Sequence, residues 1–232
     1  MKNNFLADFY DGGIFHVYNR TNNKELLFKT DENRLYFLKQ YAKYLQPFLD
    51  TFCWCLLPNH FHFLVRVKTN EEIKNYLSSL EVTPFEKVSP LSKLSPLLRP
   101  IEKLYLNDKV TTELLLEFEW KRFFTSYSMA FNKQHNRSGN LFHRPFKRVE
   151  VIKESYFTQA IVYIHANAFR HKVCKDFTKY PWSSWQTMIS VNPTQLCRQE
   201  VLDWFGGLKP FIDAHIGMTE YYYGSDIAIE ED

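Results

Sequence analysis

The stretch Cys53–Val67, CWCLLPNHFHFLVRV, leaves its backbone little choice. Two runs of apolar and β-favouring residues are separated only by Pro58-Asn59, a gap that fits a tight turn between neighbouring strands. Strands are therefore expected over 52–57 and 60–67, antiparallel and side by side. His60 and His62 stand at i and i+2 in the second strand, so both imidazoles face the same way, about 7 Å apart along the chain. Such a pair is the start of a metal site, or else a polar patch on a half-buried strand.

The remaining elements follow from periodicity and punctuation. Asp11-Gly12-Gly13 is a turn signal, and IFHVYNR (14–20) after it alternates as a strand. With Asp31 as N-cap, Leu35, Leu38, Tyr41, Ala42 and Leu45 keep helical spacing up to Pro47. A short helix is expected over 71–80. Pro84, Pro90, Pro96 and Pro100 leave no regular element between 82 and 100. The pattern resumes with a helix over 117–133, whose Trp120, Phe123, Phe124, Tyr127 and Phe131 form a core-packing stripe. A turn at 136–140, a strand over 146–152, a helix over 155–170 and an aromatic loop at 180–185 (YPWSSW) complete the series. This order predicts an α+β fold, a ferredoxin-like or RRM-like antiparallel sheet with helices packed on it. The main domain is expected over 1–190, with a proline-rich insertion at 82–118. Residues 191–232 read as a short helical appendage ending in a disordered acidic tail.

Charge is unevenly distributed. Residues 121–150 hold seven basic side chains against one acid, a local +6 in a chain whose net charge is +3. From residue 211 onward there are six acids and no Lys or Arg. That asymmetry suits a polyanion-binding face beside an acidic tail, or simply a well-solvated side of one helix and hairpin. No apolar run approaches the ~18 residues of a membrane span, and the first residues lack a basic-then-apolar leader. Four scattered cysteines make no disulfide framework, so a reducing, cytoplasmic setting is expected.

Three chemistries compete for the histidine pair. Cys53, Cys55, His60 and His62 spell C-x-C-x4-H-x-H, four zinc-ligand types, although each pair straddles one residue where structural zinc sites use wider spacings. Cysteine nucleophiles are a second option, but Cys53 and Cys55 lie in an apolar strand with no activating base, which suits inert core residues. The third option takes Tyr163 and Asn167 from the 155–170 helix, which share one face at i and i+4. A tyrosine hydroxyl can attack phosphorus covalently. Two imidazoles and an amide oxygen make a mixed N/O set suited to Mg²⁺ or Mn²⁺, and an ion there would activate a phosphate.

At this point the motifs become specific. PNHFHFLV (58–65) resembles the histidine–hydrophobe–histidine signature of the HUH single-strand nucleases, and YIHANAFRH (163–171) resembles the tyrosine-helix motif, usually YIHxNP, of the single-tyrosine transposases. HVYNRTNNKELLF, SYSMAFNKQHNRSGNLFHRPFK and YPWSSW flank them in the matching order. Together they resemble the REP-associated tyrosine transposases over residues 13–190, the proline-rich part excepted. One departure is that the family's Asn-Pro is Asn167-Ala168 here, so the helix is free to continue.

The resemblance implies that His60, His62 and Asn167 hold a divalent metal, Mg²⁺ or Mn²⁺. It also implies that Tyr163 attacks a DNA phosphate to leave a 5′-phosphotyrosine and a free 3′-OH. The substrate would be single-stranded DNA carrying a hairpin or repeat, and the protein a monomer or a homodimer. Arg20, Arg137, Arg144, Lys147 and Arg148 are the candidate phosphate contacts, with Phe142, His143 or Trp182 as stacking surfaces. Tyr156 and Tyr127 are the alternative nucleophiles. The competing function is a non-catalytic nucleic-acid-binding module, which an RRM-like sheet also supports.

Overall fold

The two strands expected around Pro58-Asn59 form the hairpin β2 (Leu49–Leu56) and β3 (His60–Val67), and β3 pairs on its other side with β1 (Ile14–Arg20). A short β4 (Lys147–Glu150) pairs with β1, giving the antiparallel order β2-β3-β1-β4. This computed structural model describes residues 5–81 and 98–222. The proline-rich residues 82–97 and the acidic tail 223–232 lie outside them.

Alternation sorts the sheet into two faces. Phe15 and Val17 of β1 and Phe61, Phe63, Val65 and Val67 of β3 point to one core. There they meet α1 (Asp31–Tyr44) and α4 (Thr112–Gln134). Trp120, Phe123, Tyr127 and Phe131 of the α4 stripe are buried as expected and Phe124 is partly buried, and Tyr41 of α1 stacks on Phe63 with ring centroids 4.1 Å apart. Truncating one of these rings, Phe123 for example, would cost about 3–5 kcal/mol.

The opposite face packs α5 (Glu154–Arg170) against β2 and β3. Leu64 of β3, Phe52, Cys53 and Cys55 of β2, and Phe157, Ile161 and Ile164 of α5 form this second core. A bulge between Thr51 and Cys53 lets both Phe52 and Cys53 reach it. The C-terminal segment joins it through α6 (Trp185–Ile189), α7 (Arg198–Phe205) and α8 (Leu208–Tyr222), which contribute buried Trp185, Val201 and Phe211.

Several boundaries differ from the sequence expectation for local reasons. Thr30, not Asp31, caps α1, because its side chain and that of Asn33 bond reciprocally to each other's backbone N–H groups. Residues 98–118 are largely helical. Pro100 opens α3 (Pro100–Leu106) at the position where a missing N–H is harmless, and Thr111 caps an α4 that begins at Thr112, five residues before its expected start. The connection from β3 to β4 therefore runs through α2 (Asn70–Glu81), α3 and α4.

Candidate active site

On the α5 side the two central strands turn polar. His16 and Tyr18 of β1 and His60 and His62 of β3 share the face on which Ile14 and Leu64 supply the apolar contacts to the second core. Pairing sets them in register: Tyr18 lies opposite His62 on one side, Cys55 on the other. The rings of His60 and His62 are 5.2 Å apart and nearly perpendicular. His62 is fully buried, whereas His60 is half-buried at the rim.

Both imidazoles are oriented through Nδ1. His60 Nδ1 donates to the Asn59 side-chain oxygen at 2.7 Å. His62 Nδ1 lies 3.0 Å from Nε2 of buried His16. Burial, reinforced by His60, His16, His171 and Arg170, holds His62 well below the ordinary histidine range, so it is neutral, as a metal ligand must be.

Helix α5 lies across this pair. Tyr163 meets His62 and His16 edge-on, with ring centroids 6.2 and 6.0 Å apart. Two turns later His171, at the end of the helix, meets His60 at 4.7 Å. Asn167 sits midway on the same face, between the residue that touches His62 and the residue that touches His60. It is completely buried, and neither atom of its side-chain amide has a hydrogen-bond partner among the described residues. An unsatisfied buried amide points to a ligand. With Nδ1 of both histidines engaged, a mixed N/O donor set of His60, His62 and Asn167 fits a divalent cation. The Arg170 guanidinium covers the Tyr163 ring at 4.7 Å, and Tyr163 is only 2% exposed.

The zinc spelling does not assemble. Cys53 and Cys55 are buried in the apolar core, burial raises the Cys53 thiol well above its usual range, and among the described residues no group of three or more His, Cys, Asp or Glu is arranged to hold a metal by those residue types alone. Tyr127 is on the far side of the sheet, donating to the Leu27 carbonyl, which removes it as an alternative nucleophile.

His60 opens onto a cavity of ≈ 440 Å³. Arg20, Lys24, Arg144 and Lys147 line it together with His143 and His171, and no carboxylate does among the described residues. A second cavity of ≈ 700 Å³ shares Asn19, His143, Arg144 and Pro145 with the first, and is walled by Phe118, Phe124, Phe142 and Phe146. Cations thus lead to the histidines and aromatic faces lie alongside, the layout for an unpaired polyanion with bases.

Two of the expected phosphate contacts fall elsewhere. Arg148 pairs with Val17, one residue out of phase with Lys147, so it points to the opposite face of the sheet. There it is buried, bonding Glu113, Glu117 and the Ala7 carbonyl. Arg137 braces the loop, pairing with Glu25 and donating to the Gly139 and Asn140 carbonyls. Trp182 lines neither cavity; it packs against the Arg34 guanidinium. Conversely His16, Lys24 and His171 belong to the site without having been singled out in the sequence. The i, i+4, i+8 series Tyr163-Asn167-His171 was the available signal for the last.

Comparison with solved structures finds a REP-associated tyrosine transposase bound to a REP hairpin, at a TM-score of 0.50 and 14% identity, over 83% of this chain and 89% of that one. This chain has that transposase's fold. A scan against protein-family models and a search of curated proteins each find no match. The likeness spans most of both chains, and no helix among the described residues is long and apolar enough to cross a membrane.

Proposed function

We propose that this protein is a metal-dependent, single-strand DNA nicking and joining enzyme that uses Tyr163 as its nucleophile. The observation that carries this reading is the placement of Tyr163 and buried, unsatisfied Asn167 of α5 over His62 and His60 of the same chain's sheet. His60, His62 and Asn167 would hold Mg²⁺ or Mn²⁺, which supplies Lewis-acid polarisation of the scissile phosphate. The Tyr163 oxygen, giving up its proton, attacks phosphorus; the bond to the 3′-oxygen breaks, and that oxygen leaves protonated as a 3′-OH. The 5′-phosphate is then held on tyrosine, and a later 3′-OH reverses the exchange to join strands.

Arg20, Lys24, Arg144 and Lys147 position the strand by its phosphates, and the aromatic cavity beside them accepts bases. Hairpin or repeat DNA is the substrate class that the REP-hairpin-bound neighbour suggests. Tyr163 reaches histidines of its own chain, which supports catalysis in cis.

The test is incubation with single-stranded hairpin DNA and Mn²⁺, followed by a denaturing protein gel. Wild type should give a covalent band mapping to Tyr163. Tyr163→Phe should lose that band while keeping DNA affinity within about twofold. A persisting adduct would move the nucleophile to another residue, with Tyr156 next. Tight binding without any adduct would favour the non-catalytic module.

A further inference from the structure

The proposed ligands do not explain His16. It is 1% exposed, its ring clustered with those of Tyr18 at 5.0 Å and His62 at 5.2 Å, which are themselves 5.6 Å apart, with Tyr163 edge-on at 6.0 Å. Its Nε2 lies 3.0 Å from Nδ1 of His62. A third imidazole in the interior, hydrogen-bonded to a ligand imidazole, is a costly way to fill space unless its polarity is used.

The bond has two possible directions with opposite consequences. If His62 donates, its proton is on Nδ1 and its Nε2 lone pair is available to an ion. If His16 donates, His62 must carry its own proton on Nε2, and that nitrogen cannot coordinate. Resting on the metal-dependent reading above, we infer that His16 is a positioning residue: its Nε2 accepts the Nδ1 proton of His62 and thereby holds His62 in the tautomer that coordinates through Nε2. Ligating histidines generally need such an outer partner. His60 has one in Asn59, at the half-buried rim where water can substitute. His62 is fully buried, so no solvent replaces His16. A neutral acceptor also suits the chemistry, because a carboxylate there would offset part of the charge the ion directs at the phosphate.

The experiment uses the full chain. Long-range ¹H–¹⁵N NMR of metal-free wild type near neutral pH should show His62 protonated on Nδ1 and bare on Nε2. Mn²⁺ affinity, measured by electron paramagnetic resonance, should fall about 10–100-fold in His16→Ala. His16→Gln, which keeps an acceptor oxygen, should recover most of it. A merely structural role would lower the melting temperature without this rescue. His62 found with its proton on Nε2 overturns the inference even if neither variant folds. So does undiminished Mn²⁺ affinity in a folded His16→Ala beside a wild type that binds. Wild type that takes up no Mn²⁺ overturns the metal reading, and the positioning role with it.

Discussion

On the proposed metal-dependent reading, Asn167→Leu should make the metal-free protein more stable and abolish the covalent DNA adduct. The Asn167 side chain is fully buried, with neither its amide nitrogen nor its oxygen hydrogen-bonded among the described residues. An unsatisfied buried donor or acceptor costs roughly 1–3 kcal/mol. Taking the low end for each atom, an apolar side chain of similar size gains about 2 kcal/mol. In a domain of this size that raises the melting temperature by about 4–8 °C. Thermal unfolding in chelator measures it directly. Adding Mn²⁺ at about 100 times its dissociation constant should then stabilise wild type by about 2.7 kcal/mol and the variant hardly at all. The order would then reverse, leaving wild type the more stable by about 0.7 kcal/mol. A variant less stable than wild type in chelator would mean that the amide has a structural partner, and equal Mn²⁺ stabilisation of both proteins would remove Asn167 from the ligand set.

Other outcomes separate the roles of neighbouring residues. Arg144→Ala and Lys147→Ala should each weaken single-strand binding and reduce the slope of log affinity against log salt by about 0.7. Arg148→Ala should leave that slope unchanged but lower stability by about 1–3 kcal/mol, since it leaves the partly buried Glu113 and the Ala7 carbonyl without their partner; a reduced salt slope would refute its burial. Burial holds His215 down at about 4, below the ordinary 6.5 of an unfolded histidine. The unfolded chain therefore binds more protons between pH 6.5 and 4, and stability from this group is lost as pH falls through that window. Wild type should lose about 1.4 kcal/mol per pH unit relative to His215→Phe there, and a constant difference in denaturant titrations would contradict it.

What the sequence showed depended on how local the determinant was. β1 and β3 were bounded to the residue because turn signals frame two clean alternating runs. The start of α4 was hidden because Leu114-Leu115-Leu116 has no helical period and the cap, Thr111, is followed by a second threonine that gives no sharper boundary signal. Strand and helix periods put His60 with His62 and Tyr163 with Asn167 on shared faces, and it was the resemblance of PNHFHFLV and YIHANAFRH to family motifs that joined the four into one candidate site. His16 was not legible, because its bond to His62 follows from which β1 residue pairs with which β3 residue, a register no local window contains. The basic cluster misled for the reverse reason. Lys147 and Arg148 are adjacent in a charge count but occupy opposite faces of the sheet.

Helix α5 is fastened on two sides. One side carries Tyr163; the other carries His165, bonded at 2.9 Å to His215 of α8 and at 2.8 Å to Ser184. His215 Nδ1 donates to the Phe211 carbonyl, so its Nε2 accepts from His165, whose Nε2 in turn accepts the Ser184 hydroxyl. Every proton in that relay is spoken for, and sliding or exchanging the helix would strand all of them in the interior. On the proposed chemistry, each polypeptide is then a complete cutting head with room for a single captured DNA end. Joining two ends becomes a matter of stoichiometry: two copies must meet on the DNA, or one must release its first end before taking the second.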